Sequence, residues 1–232
     1  MADMRAKVQQ QGLALATDSS GFDDIYQNRE HALQTNERSA LVDMWTRAGR
    51  VFIYNNPVIG QPETMSANGT NVTLTAPSVR FTVPSGAVVV PIDFQARVAT
   101  VIAKDDTFAV IATASNSFTS GGDAVAMLNA NAYINSTNAA PVPATVTNLH
   151  YSDTAIVEDT LVGPRLLKHV KREGQTSEVN TTWMPEYNIL KGDKMVYMKG
   201  PASFLVFIVQ ETTAAEAEFS GSYAVLESGI IG

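Results

Sequence analysis

The stretch Ser203 to Gln210 (SFLVFIVQ) constrains this chain more than any other. It is built from Phe, Leu, Val and Ile, and it is too short for a typical helix, so it reads as a strand. Polar residues do not alternate through it, which predicts burial on both faces, at the centre of a two-layer structure. Met195 to Met198 precede it, closed by the turn signal Lys199-Gly200-Pro201. After Glu211-Thr212-Thr213 a second strand-like run, Glu218 to Val225 (EFSGSYAV), follows around Gly221. Everything upstream has to supply the layers that cover this pair.

Two hundred and thirty-two residues suffice for one large all-β domain or two small ones. There is no cysteine, which excludes disulfides, thiolate metal sites and cysteine nucleophiles. With 45% apolar and only 17% charged residues, the surface is sparsely charged. That suits a surface covered by neighbours, and equally a merely polar one. No stretch approaches the roughly 20 apolar residues of a membrane span. The segment MADMRAKVQQQGLALATD has an apolar patch of only Leu13 to Ala16, unlike a signal or transit peptide.

The net charge of −7 is unevenly spread. Residues 51–160 carry three basic against eight acidic residues, and 161–200 carry seven against four. The acidic balance argues against a dedicated nucleic-acid binder. One basic island, Arg165 to Arg172 (RLLKHVKR), interrupts it. Leu166, Leu167 and Val170 would share one helical face there, with Arg165, Lys168, Lys171 and Arg172 on the others. The island is a candidate contact for acidic lipid, nucleic acid or an acidic patch on an adjacent subunit, or else a solvated face.

Residues 1–49 read as a helical N-terminal arm, and 50–232 as a single β-domain. In the arm, Asp23 or Asp24 can cap a short helix through Ile25 to Leu33, and Thr35 or Asn36 the next. In that second helix Leu41, Met44, Trp45 and Ala48 fall at i, i+3, i+4 and i+7. This narrow stripe predicts docking on a partner surface, either the chain's own β-domain or a neighbouring subunit. Leu41, Met44 and Trp45 are the subunit-contact candidates.

From Val51 to Tyr54 (VFIY) the texture becomes strand-like. Val72, Leu74 and Ala76 alternate with threonines, predicting a half-buried strand, and Val79 to Val83 another. Ala87 to Val101 is long and β-branched, with Pro91 marking a bend, a bulge or an edge. Thr107 to Thr113, Val125 to Ile134, Ala144 to Tyr151 and Ala155 to Val157 complete about eight to ten short strands separated by turns. That is the pattern of an all-β sandwich or barrel, a jelly roll in preference.

Chemistry-bearing motifs are scarce. His31, His150 and His169 lie far apart and lack ligand-pair spacing, so no metal site is expected. No phosphate-binding or nucleophile-elbow motif occurs. Ser85 reads as a turn serine. Gly121-Gly122-Asp123 lacks the alternating carboxylates of a calcium loop. Asp23-Asp24 and Asp105-Asp106 read as cap and turn residues. The sequons at Asn68, Asn71, Asn135 and Asn180 are what an Asn-, Ser- and Thr-rich chain contains by chance. No catalytic residue or cofactor is expected.

With its helical arm, its strand-turn-strand unit VRFTVPSGAVVVP (Val79 to Pro91), its polar loops and its apolar closing pair, the chain resembles a single jelly-roll viral capsid protein. The resemblance covers most of residues 50–230 and rests on texture, not on a specific motif. It implies a structural virion protein, made in a host cytoplasm, whose subunits self-assemble or co-assemble with a second capsid protein into an icosahedral shell. The arm would then reach under a neighbour or toward an internal membrane or genome, with Trp45 as its apolar anchor. Unlike Arg-rich coat arms, this one is charge-balanced, which weighs against genome packaging by the arm. Two rivals remain. A carbohydrate- or receptor-binding jelly roll would use Phe118, Tyr133 or Trp183 in a loop-end pocket, and a cupin-type enzyme would hold a transition metal.

Overall fold

The computed structural model describes residues 38–65, 71–99, 105–131, 143–174, 182–211 and 214–227. By contacts the chain divides into residues 1–40 and 41–232. The expected helices before residue 38 lie outside the described residues. A helix over 38–47 leads into the β-structure.

Sixteen strands occur among the described residues. Val51–Asn55 (β1), Glu63–Met65 (β2), Val79–Val83 (β3), Val88–Ala99 (β4) and Asp106–Thr113 (β5) come first. Residues 114–164 then make an excursion carrying five short strands. These are Phe118–Ser120 (β6), Asp123–Ala124 (β7), Met127–Asn129 (β8), Thr147–Tyr151 (β9) and Val157–Glu158 (β10). Arg165–Arg172 (β11) follows, then three short strands, Thr182–Trp183 (β12), Glu186–Asn188 (β13) and Met198–Lys199 (β14). Ala202–Gln210 (β15) and Ala215–Glu227 (β16) close the series.

The paired strands run antiparallel, in two large sheets and a small one formed by β6 and β10. One has the order β8-β1-β16-β4, with β12, β13 and β14 laid successively along the far edge of β4. The other runs β11-β5-β15-β3-β9-β7. With β12–β14 counted as one interrupted strand, and with β2 and the five strands of the excursion set aside, eight principal strands remain. The first, eighth, third and sixth share one sheet, and the second, seventh, fourth and fifth share the other. This is the strand order of a jelly roll, in which neighbours in sequence alternate between sheets except for the fourth and fifth, here β5 and β11, which pair with each other. The expected all-β sandwich with a short helix ahead of it is therefore the observed fold.

The sheets meet face to face through aromatic rings. Phe81 of β3 lies 5.4 Å from Tyr223 of β16, and Phe94 of β4 lies 6.0 Å from Phe108 of β5. Tyr151 of β9 meets Phe219 of β16 at 5.8 Å, and Tyr187 of β13 meets Phe204 of β15 at 6.0 Å. Such pairs add roughly 0.5–1.5 kcal/mol each beyond the area they bury. Gly221 faces Tyr54 across the β1–β16 ladder, and a Cβ there would lie 2.5 Å from the tyrosine hydroxyl. Only glycine fits over that ring.

Every residue of β15 is buried, as its sequence predicts. The physical reason has two parts. Ala202, Phe204, Val206 and Ile208 belong to the core between the sheets. Leu205, Phe207 and Val209 point outward, where with Ala109 and Ile111 of β5 they form a second apolar cluster, overlaid by Val72 and Leu161.

Pro91 marks a bulge. Tyr223 pairs with Pro91 and Ser222 with Asp93, which leaves Ile92 without a partner on β16. On its other side β4 meets β14 only at Val88 and Val89 and β13 only at Asp93 to Gln95, so no ladder there requires an N–H from position 91.

Three expectations need correction. Residues 72–76 are not a strand: the Ala76 amide donates to the Thr73 carbonyl in a turn (2.9 Å), and the Thr75 carbonyl accepts from Glu158 N (2.9 Å). The basic island is not helical. It is β11, which satisfies the open backbone edge of the wholly buried β5 from Asp106 to Ala112. Asp106 is not a turn residue either, since it begins β5 and is buried.

Candidate interaction surfaces

The best-built polar arrangement lies on the outer face of the β15 sheet. Arg80 of β3 and Glu158 of β10 form an ion pair with both side chains fully buried. The Arg80 Nη1 donates to the Asn148 carbonyl (3.1 Å), and Nη2 donates to Thr82 Oγ1 (2.9 Å) and Ser203 Oγ (3.3 Å). Ser117 Oγ donates to the second Glu158 oxygen at 2.6 Å. The Phe118 ring lies over the guanidinium, 4.4 Å from its centroid. A buried cation persists only when its donors are satisfied in this way. Burial pulls the Arg80 pKa down and Glu158 pulls it back up. Glu158, Ser117, Phe118 and Asn148 all come from the 114–164 excursion, whereas Arg80, Thr82 and Ser203 come from the sheet. One side chain thus fastens the excursion to the sheet.

His150 borders this cluster. Its ring stands edge-on to Phe118 at 5.1 Å, and its buried Nδ1 has no hydrogen-bond partner. Burial, then the nearby Arg80 charge, lower its pKa, while the Gly121 backbone and Asp123 oppose them. The arrangement holds the excursion in place. It offers no exposed nucleophile.

The outer face of the other sheet is open. Ile53 of β1 and Leu128 of β8 are cross-strand neighbours there, 42% and 59% exposed. Ser222 and Asp93 continue the row, with Ser222 Oγ donating to Asp93 Oδ1. Burial raises the pKa of Asp93, against the pull of the Ser222 hydrogen bonds. Beside this row a concavity of about 430 Å³ is lined by Asn55, Gln95, Arg97 and Glu218, together with Ile59 and Met184. Ile59 is 89% exposed and Met184 67%.

The contact candidates divide. Trp45 is buried in the chain's own core and Leu41 packs against it, so the helix docks on its own β-domain; Met44 remains exposed. In the basic island, Lys168 pairs with Asp193 (2.6 Å), Lys171 with Asp105 (2.7 Å) and Arg172 with Asp106 (2.8 Å). Asp106 also accepts from Gln210 Nε2 at 2.8 Å. Arg165 is exposed. Three of the four cations are therefore engaged within the chain.

The aromatic candidates are engaged too. Phe118 covers Arg80, Trp183 is half-buried against the core, and Tyr133 lies outside the described residues. Of the histidines, His150 and His169 sit on β9 and β11, and His31 lies outside the described residues. Among the described residues no group of three or more His, Asp or Glu could hold a metal ion, and no helix is long and apolar enough to cross a membrane. Sequence reasoning passed over Arg80 and Glu158. The available signal was an arginine between Val79 and Phe81 in a strand otherwise destined for burial.

Comparison with family models, with curated proteins and with solved structures finds no match for this chain. Its function has to be read from the geometry itself.

Proposed function

We propose that the chain is a structural coat protein, a virion subunit that packs against copies of itself, or against a second coat protein, to build a closed shell. The observation that carries this reading is the contrast between the outer faces of a jelly-roll sandwich. The centre of one face is covered by Val72 and Leu161, while the other presents Ile53, Leu128, Ile59 and Met184 to its surroundings. Exposed apolar residues collected on one sheet face mark a contact surface. The sparse charge of the chain is compatible with such packing. The carbohydrate-binding alternative loses support because Phe118 and Trp183 are engaged inside the fold. Contact with genome or membrane through the basic island loses support because Lys168, Lys171 and Arg172 are paired.

Light scattering of the full chain, and of the chain with Ile53→Lys and Leu128→Lys together, tests the proposal. Large particles or defined oligomers that fall to monomers in the double variant support it. A monomer at every concentration, or assemblies untouched by the double variant, overturns it. Any deletion of the arm should stop before Arg38, because Trp45 belongs to the core.

A further inference from the structure

A second concavity, of about 210 Å³, lies where β5 ends, β11 begins and the chain turns from β14 into β15. Arg165, Tyr197 and Lys199 line it, and its other walls include Ala112, Ala114 and Val196. No acidic side chain contributes to the lining. Both cations sit on paired backbone. Arg165 lies opposite Ala112 in the β11–β5 ladder, and Lys199 lies opposite Val88 in the β14–β4 ladder. The turn after Lys199 is fixed as well: Gly200 N donates to the Ala87 carbonyl (2.9 Å), and a Cβ at Gly200 would collide with the Pro84 carbonyl.

The other described lysines and arginines all have partners. Arg47 holds Asp43, Arg80 holds Glu158, Arg97 holds Glu218 and Lys191 holds Glu186. Lys168, Lys171 and Arg172 hold the aspartates named above. Arg50 donates to the carbonyls of Val225 and Leu226, Lys194 donates to that of Leu166, and Arg38 too has a partner. Among the described residues, then, the two basic side chains without a protein partner line the same concavity. Two like charges beside one hollow repel each other until an anion lies between them.

We propose that this concavity is an oxyanion-binding site, taking a carboxylate, phosphate or sulfate group. Arg165 supplies a planar fork of N–H donors, Lys199 a compact charge, and Tyr197 a hydroxyl donor. The apolar walls accommodate a small part of whatever carries the anion.

The test follows the thermal midpoint of the full chain with inorganic phosphate, at ionic strength held constant with chloride. A ligand that binds only the folded state raises the midpoint in a saturable way. Saturable stabilisation is expected. Arg165→Gln and Lys199→Gln should each weaken the apparent Kd about tenfold, and together abolish it. The midpoints of the variants without phosphate report whether they fold, and Tyr197→Phe gives a smaller loss that checks the third donor. A midpoint independent of phosphate overturns the proposal, as does a phosphate response retained by the double Gln variant. Light scattering on the same samples distinguishes two sources of the oxyanion. If the carboxylate of a second copy is the natural occupant, phosphate at constant ionic strength reduces self-association. If a free anion is the occupant, association is unchanged. The midpoint experiment stands whether or not the chain assembles.

Discussion

The two sheets share an inner face but treat their outer faces differently. Outside β15, residues Leu205, Phe207 and Val209 are covered by Val72 and Leu161, and Arg80 and Glu158 fasten the cover. Outside β16, no such cover lies over Ile53 and Leu128 among the described residues, and the polar groups Ser222, Asp93 and Gln95 stand among them. The centre of one outer face has been made into interior; the other has been left as surface. Apolar residues on the first therefore act through folding stability, and those on the second act through whatever the protein meets.

The largest effect that would sharpen this contrast comes from Glu158→Gln. Breaking a buried ion pair by neutralising one partner leaves an uncompensated charge, at a cost of about 3–5 kcal/mol. Chemical denaturation should show that loss, with hydrogen exchange rising first in the 114–164 excursion. A loss below about 1 kcal/mol would mean that the cluster does not hold the cover.

Matched truncations come next. Phe207→Ala should destabilise by about 3–5 kcal/mol, as in a core, whereas Ile53→Ala should stay within about 0.5 kcal/mol. If the two cost the same in denaturant unfolding, the distinction between covered and open faces is wrong.

The faces should also respond to acid with opposite sign. The His150 pKa is lowered from 6.5, so the stability tied to its neutral form is complete above 6.5 and is lost as pH falls through the lowered value. The Asp93 pKa is raised from 3.8, so the stability tied to its protonated form is complete below 3.8 and is lost as pH rises through the raised value. Thermal midpoints measured between pH 7 and 4 should therefore fall less steeply in His150→Leu. In Asp93→Asn the midpoint should fall more steeply on acidification, because the opposing contribution is gone. Unchanged slopes in both variants would remove any link between these groups and their faces.

The smallest effect is expected at Lys171→Gln. Its pair with Asp105 is solvated, and the midpoint should stay within the scatter of repeat measurements.

How much of this was legible from sequence depended on the range over which each signal acts. The burial of β15 was readable because eight consecutive positions carry it. That Pro91 would interrupt the strand, as a bend, a bulge or an edge, was readable because proline lacks the donor that a ladder needs; the register on β16 decides for a bulge. The basic island was ambiguous, since Leu166, Leu167 and Val170 suit a helical face as well as a strand; the demand of β5 for a neighbour decided it, and that demand comes from elsewhere in the chain. Thr73 and Thr75 imitated the alternation of a strand, but residues 72–76 turn instead and deliver Val72 to the outer cluster. The Arg80–Glu158 pair spans 78 positions, and no local pattern announces it. The meeting of Arg165 and Lys199 at one concavity is hidden for the same reason, since it depends on where β11 begins and β14 ends in space.

The strand order carries a consequence for biosynthesis. β15 stands between β5 and β3, and β16 between β4 and β1, so each sheet is joined at its middle by one of the two strands translated latest among those described. Until residues 202–227 have cleared the ribosome, β1 and β4 have no common neighbour, and neither do β3 and β5. Before that point the nascent chain carries β1, β4, β3 and β5 without the strands that join them. A stop codon that removed only β16 would therefore leave no smaller version of the fold, but two edges with nothing to join them.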